Sequence, residues 1–191
     1  MNKELVEWQL QEENTGLIYP WWVHPFLEVL KTWDLSKVHW LEFGAGRSTA
    51  YLRSKCFWVD TIEANPEWAE VAEQECKDNY FSNGAIYSKQ INEGHPELIE
   101  SYFDLIPKGE KYHIISIDGI YRTEAIEWAI KHFEGRGGIM VIDNLDQDYV
   151  WISPKAMELI APYEEHIYIQ ENHVNNEGKK WNTRYVVIPK K

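Results

Sequence analysis

The segment Val38–Leu52, VHWLEFGAGRSTAYL, constrains the fold more than any other part of this chain. A mostly apolar run leads into Glu42-x-Gly44-x-Gly46, and a helix-compatible stretch follows at once. A strand ending in spaced glycines and feeding a helix is the opening unit of an α/β fold that holds a nucleotide-like ligand. The chain must reverse within a few residues there and let a ligand approach where a Cβ would otherwise stand. About twenty residues further on, the run WVDTIEANPEW carries a second strand into Glu63, at the spacing used to grip ribose hydroxyls. Turn and distal acid together are more specific than either alone.

Beyond this unit the chain alternates. Strands are expected at Val38–Phe43, Phe57–Ile62, Ala85–Ile91, Tyr112–Ile117 and Ile139–Ile142. Helices are expected from about Ser48, over Glu67–Asn79, around Pro96–Phe103, over Thr123–Phe133, and from Ser153-Pro154 to Ala161. Asn65-Pro66 supplies an N-cap and a first-turn proline, and Trp68, Val71, Ala72 and Cys76 follow at helical spacing. The end differs: His166–Gln170 and Arg184–Ile188 flank a polar loop, Glu171–Lys180, and read as an antiparallel hairpin. The expected architecture is α/β: a Rossmann-like, doubly wound, mostly parallel seven-stranded sheet with a C-terminal antiparallel hairpin. It forms a single domain over 1–191, with a helical lead-in over 1–34 and the core over 38–191. Ligands in open sheets of this kind sit at the carboxyl ends of the strands. Glu42–Gly46, Glu63, Asp118 and Asp143–Asn144 all fall there.

Composition narrows the partners. The net charge of −12 opposes phosphate backbones and anionic lipid surfaces, so a small molecule is expected rather than nucleic acid or membrane. Cys56 and Cys76 lack metal spacing and read as buried thiols in a reducing compartment. The N-terminus carries acids and no long apolar core, and no run approaches a membrane span, so the expected location is the cytoplasm. Homo-oligomerisation stays open. Ten Trp and eleven Tyr imply a bulky core before they imply an aromatic pocket.

From Pro20 to Asp146 the chain resembles class I S-adenosylmethionine-dependent methyltransferases. LEFGAGRST is similar to the family's first motif, with Ser48 where a third glycine is common. IISIDG is similar to the fourth motif, and GRGGIMVIDN to the glycine turn and fifth strand. PWW before the first strand is similar to a subgroup of uncharacterised small-molecule methyltransferases. The resemblance implies S-adenosylmethionine as cofactor, held by Glu42, Gly44, Gly46, Ser48, Glu63 and Asp118, with Glu63 on the ribose. The rival ligand is a nicotinamide dinucleotide, whose fingerprint wants Gly or Ala where this chain has Thr49. A third reading is a scaffold that keeps the cofactor pocket without turnover.

Asp118, Asp143 and Asn144 end neighbouring strands, and adjacent strands lie about 5 Å apart. Two carboxylates and an amide suit Mg²⁺ or another divalent cation, and the set is similar to the metal site of catechol-type O-methyltransferases. This similarity implies methylation at oxygen. The lysine base of those enzymes falls here on Tyr121, so Asp118, Asp143 and Tyr121 are the catalytic candidates, with His24 held more loosely. The alternative is that Asp118 meets cofactor directly while Asp143–Asn144 makes turn and cap bonds. Trp21, Trp22 and Arg122 are the expected substrate-binding residues, Arg122 facing an anionic group. Asp146, Asp148 and Tyr149 would border the acceptor.

Overall fold

The computed structural model describes residues 20, 22–92, 94–145, 154–171 and 180–191. Seven strands form one sheet: β1 (His39–Phe43), β2 (Trp58–Glu63), β3 (Gly84–Ser88), β4 (Ile114–Ile117), β5 (Gly138–Asp143), β6 (Glu164–Glu171) and β7 (Lys180–Ile188). Their order is β3-β2-β1-β4-β5-β7-β6. The first five pair in parallel, whereas β7 runs antiparallel to both β5 and β6. The expected sheet and its closing hairpin are both present. Strand order reverses between β1 and β4, which opens a crevice at their carboxyl ends.

Helix α1 (His24–Leu30) precedes β1, and between the strands lie α2 (Arg47–Arg53), α3 (Pro66–Asp78), α4 (Ile99–Phe103), α5 (Arg122–Phe133) and α6 (Pro154–Ile160). Alternation along each strand divides the core between the two sheet faces. Leu41, Phe43, Ile115, Ile117, Met140 and Ile142 pack with Ala125, Ile126, Ala129 and Phe133 of α5. On the other face Trp40, Val59, Ile114 and Val141 pack with Phe26, Leu27 and Leu30 of α1 and with Tyr51 and Leu52. Removing each such large side chain from water contributes roughly 1.5–3 kcal/mol.

Asn65 caps α3 as expected, its Oδ1 accepting from the amides of Glu67 and Trp68, and Pro66 opens the first turn. The buried side of that helix is narrower than its spacing implied. Ala69, Ala72 and Cys76 are buried, but Trp68 and Val71 remain 44% and 57% exposed. Helix α1 begins without a side-chain cap of its own. Instead Thr183 Oγ1 accepts from the Val23 amide (3.1 Å) and Gln170 Oε1 from the His24 amide (2.7 Å), which ties α1 to the hairpin. Among the described residues no helix is long and apolar enough to cross a membrane.

Candidate active site

The crevice holds a cleft of about 310 Å³ lined by Gly44, Ala45, Glu63, Ala64, Trp68, Tyr102, Asp118, Gly119, Ile120 and Arg122. Its floor is main chain. A Cβ on Gly44 would stand 2.8 Å from the Gly119 nitrogen, and one on Gly119 would stand 2.9 Å from both the Gly44 nitrogen and Tyr102 Oη. Gly44 also has φ +94°, which side-chain-bearing residues rarely adopt. Glycine is therefore required at both strand ends, and each allows the other.

The turn above this floor is held from two sides. Glu63 Oε2 accepts from the Ala45 amide at 2.7 Å, and its Oε1 accepts from the Asn65 amide at 2.8 Å. Trp68 Nε1 donates to the Ala45 carbonyl at 2.5 Å. The Gly44 amide donates to the Ile62 carbonyl, and the Gly46 amide to Thr49 Oγ1 at 3.0 Å. All three turn amides are thus engaged within the protein. Burial raises the Glu63 pKa, opposed by the amides of Asn65, Ala45 and Ala64.

Glu42 lies beneath the turn, 1% exposed, and does not line the cleft. Its Oε2 accepts from Thr49 Oγ1 (2.6 Å) and Thr61 Oγ1 (3.0 Å), while Oε1 makes no hydrogen bond of ordinary geometry. Burial pushes its pKa up to about 7, with the hydroxyls of Ser48, Thr49 and Thr61 pulling the other way. Ser48 is 7% exposed and does not line the cleft. Thr49 is the residue that couples Glu42 to Gly46. In sequence it marks only a missing glycine.

Asp118 reaches the cleft wall, where Arg122 Nη2 donates to its Oδ1 at 2.9 Å. Burial raises the Asp118 pKa and the Arg122 guanidinium lowers it. The same guanidinium donates to the carbonyls of Gly119 (3.1 Å), Asp118 (3.0 Å) and Asp143. Arg122 lines the cleft, but four of its hydrogen bonds go to the protein, so it braces the ends of β4 and β5.

Several expected site residues lie elsewhere. Asp143 is 3% exposed and does not line the cleft. Thr183 donates to its Oδ1 and Asn144 Nδ2 to its Oδ2 at 2.6 Å, so both of its oxygens are engaged within the protein. Burial and the Asp118 charge raise its pKa well above the usual carboxylate range. The residues of the expected metal set have partners within the protein. Asp118, Asp143 and Asn144 do converge, but Arg122 bridges Asp118 to the Asp143 carbonyl, so a fixed cation already serves that spot. Among the described residues no group of three or more His, Cys, Asp and Glu side chains is arranged to hold a metal.

Tyr121 does not line the cleft either. It takes φ +52° just before α5, and its hydroxyl donates to the carbonyls of His95 (2.9 Å) and Asn92 (3.3 Å), latching the loop after β3. Trp22 is 1% exposed and stacks on Trp40 in the core on the α1 face, so it cannot line an acceptor pocket. His24 opens α1 beside Glu28 and does not line the cleft. Trp21, Asp146, Asp148, Tyr149 and most of the Glu171–Lys180 loop lie outside the described residues. Sequence reading missed Tyr102, Gly119, Ile120 and Trp68 as lining residues. Only Gly119 carried a signal, as a glycine directly after a strand-ending acid.

Comparison with known proteins agrees with this geometry. No protein-family model and no curated relative matches the chain. Solved structures do. The tRNA (m1A58) methyltransferase TrmI from Aquifex aeolicus is 20% identical with a TM-score of 0.59, over 92% of this chain and 71% of that one. The N-methyltransferase NodS from Bradyrhizobium japonicum WM9, solved with S-adenosyl-L-homocysteine, is 16% identical with a TM-score of 0.59, over 86% of each chain. A SAM-dependent methyltransferase from Aquifex aeolicus is 16% identical with a TM-score of 0.55, over 93% of this chain and 98% of that one. The fold is theirs. At these identities the likeness extends to the Rossmann-like methyltransferase architecture and not to a substrate.

Proposed function

We propose that this chain is an S-adenosylmethionine-dependent methyltransferase that acts on a small molecule. The observation that carries the reading is the Glu63 carboxylate seated on the Ala45 amide. A dinucleotide needs the amides of this turn for its pyrophosphate. Here one of them already holds an anion, and its neighbours on Gly44 and Gly46 bond to the protein. A pyrophosphate would meet a carboxylate in its own place. A ligand with a neutral sugar and a cationic sulfur meets the opposite situation. Glu63 accepts two amide bonds and, as a carboxylate with about four acceptor sites, retains room for ribose hydroxyls.

Gly44–Gly46, Glu63 and Asp118 would hold the cofactor, and Tyr102, Ala64 and Ile120 would shield it from water. When bound, the cofactor supplies an electrophilic methyl group on sulfur. The residues of this chain contribute alignment and charge matching. Asp118 presents a carboxylate to the cleft, and Arg122 fixes its position and favours its ionised form. The small-molecule acceptor is supported by the net charge of −12, which disfavours a polyanion. Oxygen as acceptor atom drew on the catechol-type metal set. With Arg122 across that set the proposal covers methyl transfer without naming the atom.

Calorimetry with S-adenosylmethionine, S-adenosylhomocysteine and NAD tests the cofactor. Binding of the adenosyl ligands without NAD is expected, and NAD binding without them would overturn it. Transfer of a labelled methyl group to a metabolite panel and to bulk tRNA tests the acceptor. Label entering the RNA alone removes the small-molecule part.

A further inference from the structure

Charge around the cleft is out of balance. Of its lining side chains, Glu63 and Asp118 are carboxylates, and the one cation, Arg122, is already bonded to Asp118 Oδ1. A third carboxylate lies one hydroxyl behind the glycine turn: the Gly46 amide donates to Thr49 Oγ1, and that hydroxyl donates to Glu42 Oε2. The groups facing Glu42 are the hydroxyls of Ser48 and Thr49 on α2 and of Thr61 on β2, the Asp118 carboxylate beyond β4, and the thiols of Cys56 after α2 and Cys76 on α3. None of these carries positive charge, and Glu42 Oε1 has no hydrogen-bond partner of ordinary geometry. An ionised carboxylate buried in that way is costly. Burial first, and the Asp118 charge after it, therefore let Glu42 keep a proton up to about pH 7. The same Asp118 charge acts on Glu63 and on Asp143.

A cationic ligand changes that balance. A compact space of about 310 Å³ is about 8 Å across, the length over which physiological salt screens exposed charges, and charges shielded from water are screened less. A sulfonium in the cleft thus lowers the cost of ionising the carboxylates around and behind it, whereas a neutral thioether does not. We propose that Glu42 sets the choice between the methyl donor and its product by charge alone: the cationic sulfonium enters as the Glu42 carboxyl loses its proton to solvent, and the neutral thioether enters without that loss. Either orientation of the ligand leaves this coupling in place, because it depends on the ligand's charge. The proposal rests on the adenosyl reading of the cleft and deepens it. Donor and product share the nucleoside and the amino-acid tail and differ in the methyl group and its charge, and the residue that separates them does not line the cleft. Below the titration of Glu42 the two are distinguished by Glu63 and Asp118. Above it Glu42 adds a negative charge that no cation of the protein offsets, so preference for the donor rises with pH.

The test titrates wild type and Glu42→Gln by calorimetry with S-adenosylmethionine and S-adenosylhomocysteine between about pH 5.5 and 7.5. In wild type the ratio of donor to product affinity is expected to rise at least threefold across this window. Glu42→Gln stays neutral throughout and should hold the ratio near the acid-side value of wild type. Measurable S-adenosylhomocysteine binding by the variant reports an intact cleft. The ligands' own amino groups titrate alike with both proteins, so the difference between the two profiles belongs to Glu42. A second readout needs no variant. Near pH 6.5 wild type should release more protons on binding the donor than on binding the product, counted from the heats in phosphate and in Tris buffer. If Glu42→Gln does not fold, that proton count decides the question. A flat ratio in wild type, an undiminished rise in Glu42→Gln, or equal proton counts for the two ligands would overturn the proposal. Failure of wild type to bind either ligand would instead overturn the adenosyl reading beneath it.

Discussion

Asp118 and Asp143 stand at or just past the ends of adjacent strands, yet one reaches a cleft and the other is sealed. The difference lies in what runs beside them. β4 has parallel neighbours on both sides, and its pairing with both ends at Ile117, so Asp118 just beyond reaches the cleft. β5 has β7 on its outer side, running the other way, with Thr183 opposite Asp143 in the register. The returning strand delivers a hydroxyl to the carboxylate, and the Val23 amide closes the chain behind it. A carboxylate at a strand end is thus a site candidate only where the next strand ends too. Where an antiparallel strand passes, the same residue becomes a structural tie.

The contrast is broken or sharpened by substitution. The largest effect is expected at the open side's floor. Gly44→Ala introduces a Cβ against the Gly119 nitrogen at an unfavourable φ, so overpacking and backbone strain together should cost about 4 kcal/mol, read by urea unfolding. A mild effect would mean that the two strand ends are not in tight contact.

Glu42 extends the sealed class to β1, and pH tests it. Its folded pKa is raised to about 7, so between the unfolded value near 4.5 and about 7 the folded protein keeps a proton that the unfolded chain gives up. Stability should therefore fall as pH rises through that window and level off above it. At about 1.4 kcal/mol per unit this is a loss of about 3 kcal/mol. Glu42→Gln should flatten the slope, gaining on wild type at pH 8 relative to pH 5. Equal slopes would mean that the three hydroxyls hold Glu42 ionised.

Next in size is Thr183→Val, which leaves Asp143 Oδ1 and the Val23 amide without their shared partner. A loss of about 2 kcal/mol is expected in unfolding experiments, with adenosyl-ligand affinity unchanged. Asp118→Asn should behave the opposite way. The pair with Arg122 is one-third exposed on the Asp side and contributes under about 1 kcal/mol to stability, but ligand affinity should fall several-fold. Should both substitutions act alike, the distinction between open and sealed ends disappears. The smallest effect is expected from chelation: EDTA should change neither stability nor turnover, because Arg122 already neutralises the spot. Loss of activity rescued by Mg²⁺ would restore the metal reading.

The open side was the legible side. Gly44, Gly46 and Glu63 announce themselves because each sits at a local transition from apolar run to turn, and the contacts that join them cross only one strand boundary. Asp118 is readable for the same reason. The fate of Asp143 depends on the register of β7, some forty residues away, which no local pattern encodes. Tyr121 looked like a base because spacing was compared with a lysine. Its left-handed backbone turns the phenol toward the loop after β3 instead. Trp22 and Trp68 misled in opposite directions, one expected at a pocket and found in the core, the other expected in the core and found at the cleft. A large ring satisfies either environment, and only the neighbouring elements decide.

The paired glycines have one more consequence. Where β1 and β4 finish, main chain touches main chain, so that spot offers heredity nothing to vary: almost any replacement closes it. Diversification of ligand preference in descendants of this chain is thereby displaced outward, onto the ring of replaceable side chains around the opening, while the base beneath stays frozen.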